Sequence, residues 1–134
     1  MELNGLVEGK IFGNKEARIS NVVIDSRKFS GNNETCFFAL KGENNDGHLY
    51  IEELLERGCT VFIVEDEKFI LDQDKFCFIL VKDSLKALQI FATEVRKEFK
   101  GSLTAITGSN GKTIVKEWIF QIMDPGFDIF RSPR

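Results

Sequence analysis

The chain has 134 residues, which on length alone is one domain or little more. Its 43% hydrophobic and 29% charged residues exclude disorder, collagen-like repeats and a disulfide-rich mini-protein, and 18 basic against 21 acidic side chains exclude a general nucleic-acid-binding surface. Apolar runs reach only strand length, and the start lacks the basic and apolar regions of a signal peptide, so the expectation is a cytoplasmic chain with no membrane span.

Residues 18–25 (RISNVVID) read as a strand, rich in β-branched side chains and bounded by polar ones. After the turn chemistry of Ser30-Gly31-Asn32-Asn33, residues 35–40 (TCFFAL) read as a second strand, ended by Lys41-Gly42. Phe37 and Phe38 alternate to opposite faces of that strand and read as core. A polar loop over 43–47 leads to a short helix carrying Tyr50, Ile51, Leu54 and Leu55, which Gly58 stops. Residues 61–64 and 76–81 read as buried strands, with 65–75 a solvated excursion between them.

The period then lengthens. Leu85, Leu88, Phe91, Ala92, Val95 and Phe99 share one helix face, with Asp83 or Ser84 as the cap. Lys100-Gly101-Ser102 is a boundary, followed by an apolar run over 103–106 read as a strand, a glycine-rich turn and a helix over 112–123. Alternating strands and helices imply an α/β layered sheet with flanking helices over 1–100. A lone strand–turn–helix cannot bury its own faces, so 101–134 reads as the truncated beginning of a second domain. Cys36, Cys59 and Cys77 sit in apolar stretches and read as buried reduced thiols; one histidine leaves a zinc site little to work with.

The strongest chemical signal is Thr107-Gly108-Ser109-Asn110-Gly111-Lys112-Thr113, between an apolar run and a helix. A phosphate chain needs close backbone approach, inward N–H donors, a cation and a hydroxyl for magnesium. Gly108 and Gly111 supply the first two, Lys112 would reach the β- and γ-phosphates, and Thr113 would ligate Mg²⁺. Position 106, where the common phosphate loop has its first glycine, is Ile. A second constellation is Asp25-Ser26-Arg27 with the loop after the next strand, which could line a shared crevice. Read alone, Asp25-Ser26-Arg27 is a turn with an exposed charge, Arg27 pairs a neighbouring acid, and His48 starts a helix with one structural hydrogen bond.

The succession D-S-R at 25–27, F-F-A-L-K-G at 37–42, D-G-H at 46–48, Gly58-Cys59 after a helix, and T-G-S-N-G-K-T resembles the Mur ligases, which build the peptide of peptidoglycan. The resemblance covers roughly residues 18–134 and, through Lys116-Glu117 after the loop, is strongest to the type that adds D-alanyl-D-alanine to a UDP-N-acetylmuramoyl-tripeptide. The ending, Lys116-Glu117-Trp118 with residues 130–134, also resembles chains in which such a ligase is fused to an alanine racemase.

The resemblance implies a UDP-sugar-binding amino-terminal domain over 1–100 and the start of a phosphate-loop central domain over 101–134. The UDP moiety maps onto Ile24, Ser26, Glu43, Asn44 and Asn45. ATP maps onto Gly108, Ser109, Asn110, Gly111, Lys112, Thr113 and Ile114, with Ile114 where a third threonine is usual, and Mg²⁺ onto Thr113. Lys112 and Thr113 carry the catalytic role, and amide ligation through an acyl phosphate is the implied chemistry, with UDP-N-acetylmuramoyl-tripeptide and D-alanyl-D-alanine as substrates. Three other readings stay open: the ligase that adds the third amino acid to the dipeptide, a folylpolyglutamate synthase-like ligase, and a non-catalytic nucleotide-binding module.

Overall fold

The computed structural model describes residues 9–132, so Pro133 and Arg134 of the ending lie outside the described residues. The chain divides into two units, one through Phe99 and one from Lys100.

The first unit is built on five strands: β1 (Lys10–Gly13), β2 (Asn21–Val23), β3 (Thr35–Phe38), β4 (Val61–Val64) and β5 (Cys77–Leu80). Their order is β1-β5-β4-β3-β2, with β2 to β5 mutually parallel and β1 antiparallel to β5. A parallel strand covered on both faces must be apolar at every position rather than at alternate ones. VFIV and CFIL meet that demand and TCFF meets it except at the buried Thr35; all but the last leucine are buried.

Alternation then sorts these side chains to two faces. Cys36, Phe38, Val61, Ile63, Cys77 and Ile79 point to one face, where α2 (Ser84–Glu98) brings Ala87, Leu88 and Phe91. Phe37, Phe62, Val64 and Phe78 point to the other, where α1 (Ile51–Glu56) brings Ile51 and Leu54. Rings carry the second face: Phe62 stacks on Phe78 at 5.2 Å and meets Phe37 edge-on at 6.3 Å. Each buried phenylalanine contributes about 1.5–3 kcal/mol by leaving water. This is the α/β layered sheet with flanking helices expected from the sequence.

Several boundaries differ from expectation, each for a local reason. The strand expected over 18–25 is only Asn21–Val23, because the Asp25 side chain turns the backbone into a helical turn. β1 was not anticipated; its four residues are too few for a periodicity signal, and it exists by pairing Lys10 to Gly13 with Leu80 to Cys77. The excursion over 65–75 is less solvated than expected, since Phe69, Ile70 and Leu71 pack against the second face.

In the second unit, α3 (Lys112–Met123) forms as expected, but the apolar run over 103–106 is not a strand. A strand is defined by its ladder, and among the described residues none pairs with this run. Residues after α3 fold back on it: Lys116 Nζ donates to the Ser132 carbonyl at 2.8 Å, while Arg131 pairs with Glu117 and lies 3.9 Å over the Phe120 ring. No helix of the described residues is long and apolar enough to cross a membrane.

All three cysteines are buried and free, as the sequence implied. Burial pushes the Cys36 and Cys77 thiols up and Cys59 to about 11, so almost no thiolate exists at neutral pH. A thiol reagent at pH 8 is therefore expected to label none of the three in the native chain and all three in denaturant. Rapid native labelling of any one would contradict this packing.

Candidate functional site

The parallel strands all leave the sheet along one edge, and β2 and β3 are neighbours there. Both substrate segments expected from the sequence lie on these exits. At the end of β2, extended Asp25 accepts the Arg27 N–H at 3.1 Å and caps a 3-10 turn, Ser26–Lys28. The Arg27 guanidinium closes on the same carboxylate through Nε (2.9 Å) and Nη2 (2.8 Å). The side-chain hydrogen bonds from Arg27 hold the Asp25 carboxyl down at about 2, with the Arg27 backbone N–H adding to them. Arg27 therefore pairs a neighbouring acid, as its simplest reading had it.

Ser26 is buried to 7% exposure, whereas the Ile24 side chain beside it stands 53% exposed. Among the described residues the Ser26 hydroxyl has no hydrogen-bond partner, and it is not sealed from solvent. The turn is anchored by Phe29, buried in the second core face. It is also gripped from α1: Arg57, one residue beyond that helix, donates to the carbonyls of Ser26 (3.0 Å) and Phe29 (2.8 Å).

The second segment follows β3. Lys41 and Asp46 form an isolated antiparallel bridge, and Gly42 N–H donates to the Asn45 carbonyl at 2.8 Å. The loop so closed presents Glu43, Asn44 and Asn45 to solvent, and Tyr50 Oη donates to Asn45 Oδ1 at 3.1 Å. Gly47 is required here, because a Cβ would lie 2.9 Å from both the N and O of Leu40.

His48 is buried and makes two hydrogen bonds rather than one. Its Nε2 accepts the Glu65 N–H at 3.0 Å, so Nδ1 carries the proton and donates to Asp46 Oδ1 at 2.6 Å. Burial works to raise the Asp46 carboxyl, but the hydrogen bonds from the His48 ring and N–H outweigh it and hold it below its ordinary value. The ring stacks on Phe69 at 4.6 Å. Glu65 continues the chain by accepting from both N and Oγ of Ser84 at 2.7 Å. A wide open groove lined by Lys10, Glu65, Glu67 and Lys82 lies farther along the same edge and includes neither substrate segment.

The phosphate loop is described within its own unit. Gly111 is the N-cap of α3 at φ +77°, a left-handed conformation that favours glycine, and a Cβ there would meet nothing within 4 Å. No side chain caps this helix start, so the first N–H groups of α3 face open space. Lys112 Nζ bends back onto the loop, donating to the Gly108 carbonyl and, at 3.4 Å, to that of Ser109. Ser109, Asn110, Thr113 and Ile114 are all exposed. An uncapped helix start, two glycines and one lysine suit a phosphate chain. Among the described residues there is no group of three or more His, Cys, Asp or Glu that could hold a metal ion.

Arg57, Tyr50 and Glu65 are the residues of this region that sequence reasoning missed. Their partners lie 31, 5 and 19 residues away, and only that of Tyr50 is close enough in sequence for local spacing to suggest it.

Residues 18–97 match the family model described as Mur ligase family, catalytic domain. The chain is 43% identical over 96 residues to a UDP-N-acetylmuramoyl-tripeptide–D-alanyl-D-alanine ligase of Rickettsia prowazekii, covering 72% of this chain and 21% of that one. It is 35% identical over 130 residues to a UDP-N-acetylmuramoyl-L-alanyl-D-glutamate–2,6-diaminopimelate ligase of Clostridioides difficile, covering 92% and 26%. The crystal structure of MurF ligase from Thermotoga maritima in complex with ADP superposes with a TM-score of 0.68 at 30% identity, covering 87% of this chain and 26% of that one. The chain thus spans about a quarter of the length of the relatives it matches.

The Asp25–Arg27 pair has a measurable consequence. A carboxyl held at about 2 when folded, against an ordinary value of 3.8, adds stability that is present above 3.8 and is lost as pH falls through 2. The Asp25 side-chain carbon followed by NMR is expected to titrate near 2, and Arg27→Gln is expected to return the midpoint toward 3.8. An unchanged midpoint in Arg27→Gln would refute the assignment.

Proposed function

This chain belongs to the Mur ligase family, and we propose that it forms the UDP-sugar-binding domain and the opening of the ATP-binding domain of a ligase that adds D-alanyl-D-alanine to a UDP-N-acetylmuramoyl-tripeptide. The observation that carries this reading is the Ser26 turn. A buried serine with an unengaged hydroxyl sits at a strand exit, flanked by exposed Ile24, and the adjacent exit presents Glu43, Asn44 and Asn45. Open α/β sheets bind ligands at the carboxyl ends of their strands, where loops rather than helices face solvent. A hydroxyl that donates and accepts suits a uracil edge or a phosphate oxygen, and the apolar Ile24 suits the face of a base.

In this reading residues 1–100 hold the uridine diphosphate end of the substrate and residues 101–134 begin the ATP domain. Gly108 to Ile114 would hold the phosphates of ATP, with Lys112 countering their charge and the Thr113 hydroxyl on Mg²⁺. When bound, ATP supplies the phosphoryl group that activates the substrate carboxylate for amide formation. This chain's own residues contribute position and electrostatics to that step. The diaminopimelate ligase relative favours a second reading, in which the substrate is the UDP-N-acetylmuramoyl-dipeptide.

Two titrations test the proposal. With UDP-N-acetylmuramic acid, NMR shifts in the 134-residue chain are expected to cluster at 24–27 and 42–48. Ser26→Ala should weaken binding about two- to tenfold, the worth of one neutral hydrogen bond. Shifts elsewhere, or none at millimolar ligand, would remove the assigned site. With MgATP, binding is expected to be weaker than micromolar, because Lys112 must first leave the loop carbonyls, and Lys112→Ala should abolish it. Micromolar affinity, or binding unaffected by Lys112→Ala, would overturn this account of the loop.

A further inference from the structure

We propose that Arg57 is a positioning residue for the UDP end of the substrate, fixing the distance between the two strand exits that would hold it. The inference rests on the reading of Ser26 and residues 43–45 given above.

Three attachments hold the Ser26 turn. Two are local: the Asp25 carboxylate on the Arg27 N–H, and the buried ring of Phe29. Among the described residues Arg57 alone hydrogen-bonds the turn from another element, across 31 and 28 residues of sequence. Its two ends do different work. Nη1 donates to the Ser26 carbonyl, which also accepts the Phe29 N–H, and Nη2 donates to the Phe29 carbonyl. Phe29 has extended backbone, so its carbonyl has left the helical pattern and depends on an outside donor. The guanidinium also lies 5.5 Å over the Phe29 ring and is braced by Glu53 at 2.8 Å.

What Arg57 is attached to gives the grip its meaning. From Gly47 a 3-10 turn runs to Tyr50 and passes directly into α1 at Ile51, which ends at Glu56, one residue before Arg57. This is one continuous helical stretch. Its beginning is pinned to the second segment: the Gly47 N–H donates to the Leu40 carbonyl, and Tyr50 donates to Asn45. Its end grips the first. Arg57 therefore closes a bracket whose arms are Ser26 and Asn45, with α1 as its spine. A planar fork that satisfies two carbonyls three residues apart is a task for arginine, because a lysine ammonium is a point donor without that geometry.

The test is a double-mutant cycle in the 134-residue chain, with UDP-N-acetylmuramic acid as the probe. Arg57→Met keeps the apolar stem and removes the fork, while Arg57→Lys keeps the charge. Arg57→Met is expected to weaken binding about three- to tenfold, with Arg57→Lys recovering part of the loss. Ser26→Ala should cost much less in the Arg57→Met background than alone, because a misplaced hydroxyl has little left to lose. In the free Arg57→Met chain, amide shifts beyond the neighbourhood of the substitution itself (residues 53–59) should be confined to 25–29 and 43–50. Should Arg57→Met fail to fold, the cycle is run with Arg57→Lys. If the parent chain does not bind the probe, the reading of the site falls and this inference with it. If the parent binds and the Ser26 and Arg57 effects add independently, or Arg57→Met binds as the parent does, the site stands and the positioning role is overturned.

Discussion

Three parallel strands, β3, β4 and β5, buried on both faces can receive polar chemistry only where they leave the sheet, and that single constraint arranges everything else in the first unit. Between the helices of the two faces, β3 and β4 are apolar at almost every position, because there is no wet side on which a polar residue could be placed. The chain must therefore change both composition and direction beyond each strand end, two residues on after β2 and β4, three after β5 and eight after β3. It does so with the same device four times. Asp25, Asp46, Asp66 and Asp83 each adopt extended backbone and accept an N–H two or three residues on, at 3.1, 3.0, 3.0 and 2.8 Å. The one of these that caps an α-helix, Asp83 on α2, contributes about 1 kcal/mol, less than one buried phenylalanine. The rings make the sheet stable; the aspartates decide where it stops.

That device has an electrostatic consequence. Four carboxylates now line the edge on which an anionic nucleotide is proposed to bind, in a stretch, residues 1–100, with 14 basic and 18 acidic side chains. The conflict is reduced because these carboxylates are turned inward on backbone N–H groups, and two also on cations. Arg27 closes on Asp25 and Lys68 on Asp66. Such pairing also removes Arg27 and Lys68 as free charges for a ligand. Recognition at the β2 and β3 exits then falls to what remains there: the Ser26 hydroxyl, the amides of Asn44 and Asn45, the apolar Ile24, the Glu43 carboxylate and the exposed Lys28 and Lys41.

The parts legible in the sequence were those with a short-range cause. Continuous apolar runs located β3, β4 and β5, helical spacing located α1, α2 and α3, and the cap of α2 was narrowed to Asp83 or Ser84, of which Asp83 is the one. The run over 103–106 misled because an apolar tetrapeptide states a preference for burial, not a partner, and a strand without a ladder is not a strand. β1 was invisible for the complementary reason, since KIFG is made a strand by β5 and not by its own pattern. The candidate site divides the same way. The D-S-R and D-G-H segments and the glycine loop were visible as local turns, and the family resemblance gave them a ligand. The second bond of His48, to Glu65 across 17 residues, and the grip of Arg57 across 28 and 31 residues have no local signature.

His48 shows why such long-range bonds matter to the site and not merely to the fold. Its neutral ring is matched at both nitrogens, donating to Asp46 and accepting from Glu65, while the Glu65 carboxylate holds the start of α2 through Ser84. The exits of β3 and β4 and the beginning of α2 are thus joined by one line of hydrogen bonds, all part-buried and therefore strong relative to the same bonds in water. Arg57 joins the β2 exit to the same stretch from the other side, through α1. Between them, the loops at the strand exits from β2 to β5 are tied to one another by side chains as well as by backbone. A loop edge held in this way loses little freedom when a ligand arrives, so less of the interaction free energy is spent on ordering the loops that make the contacts.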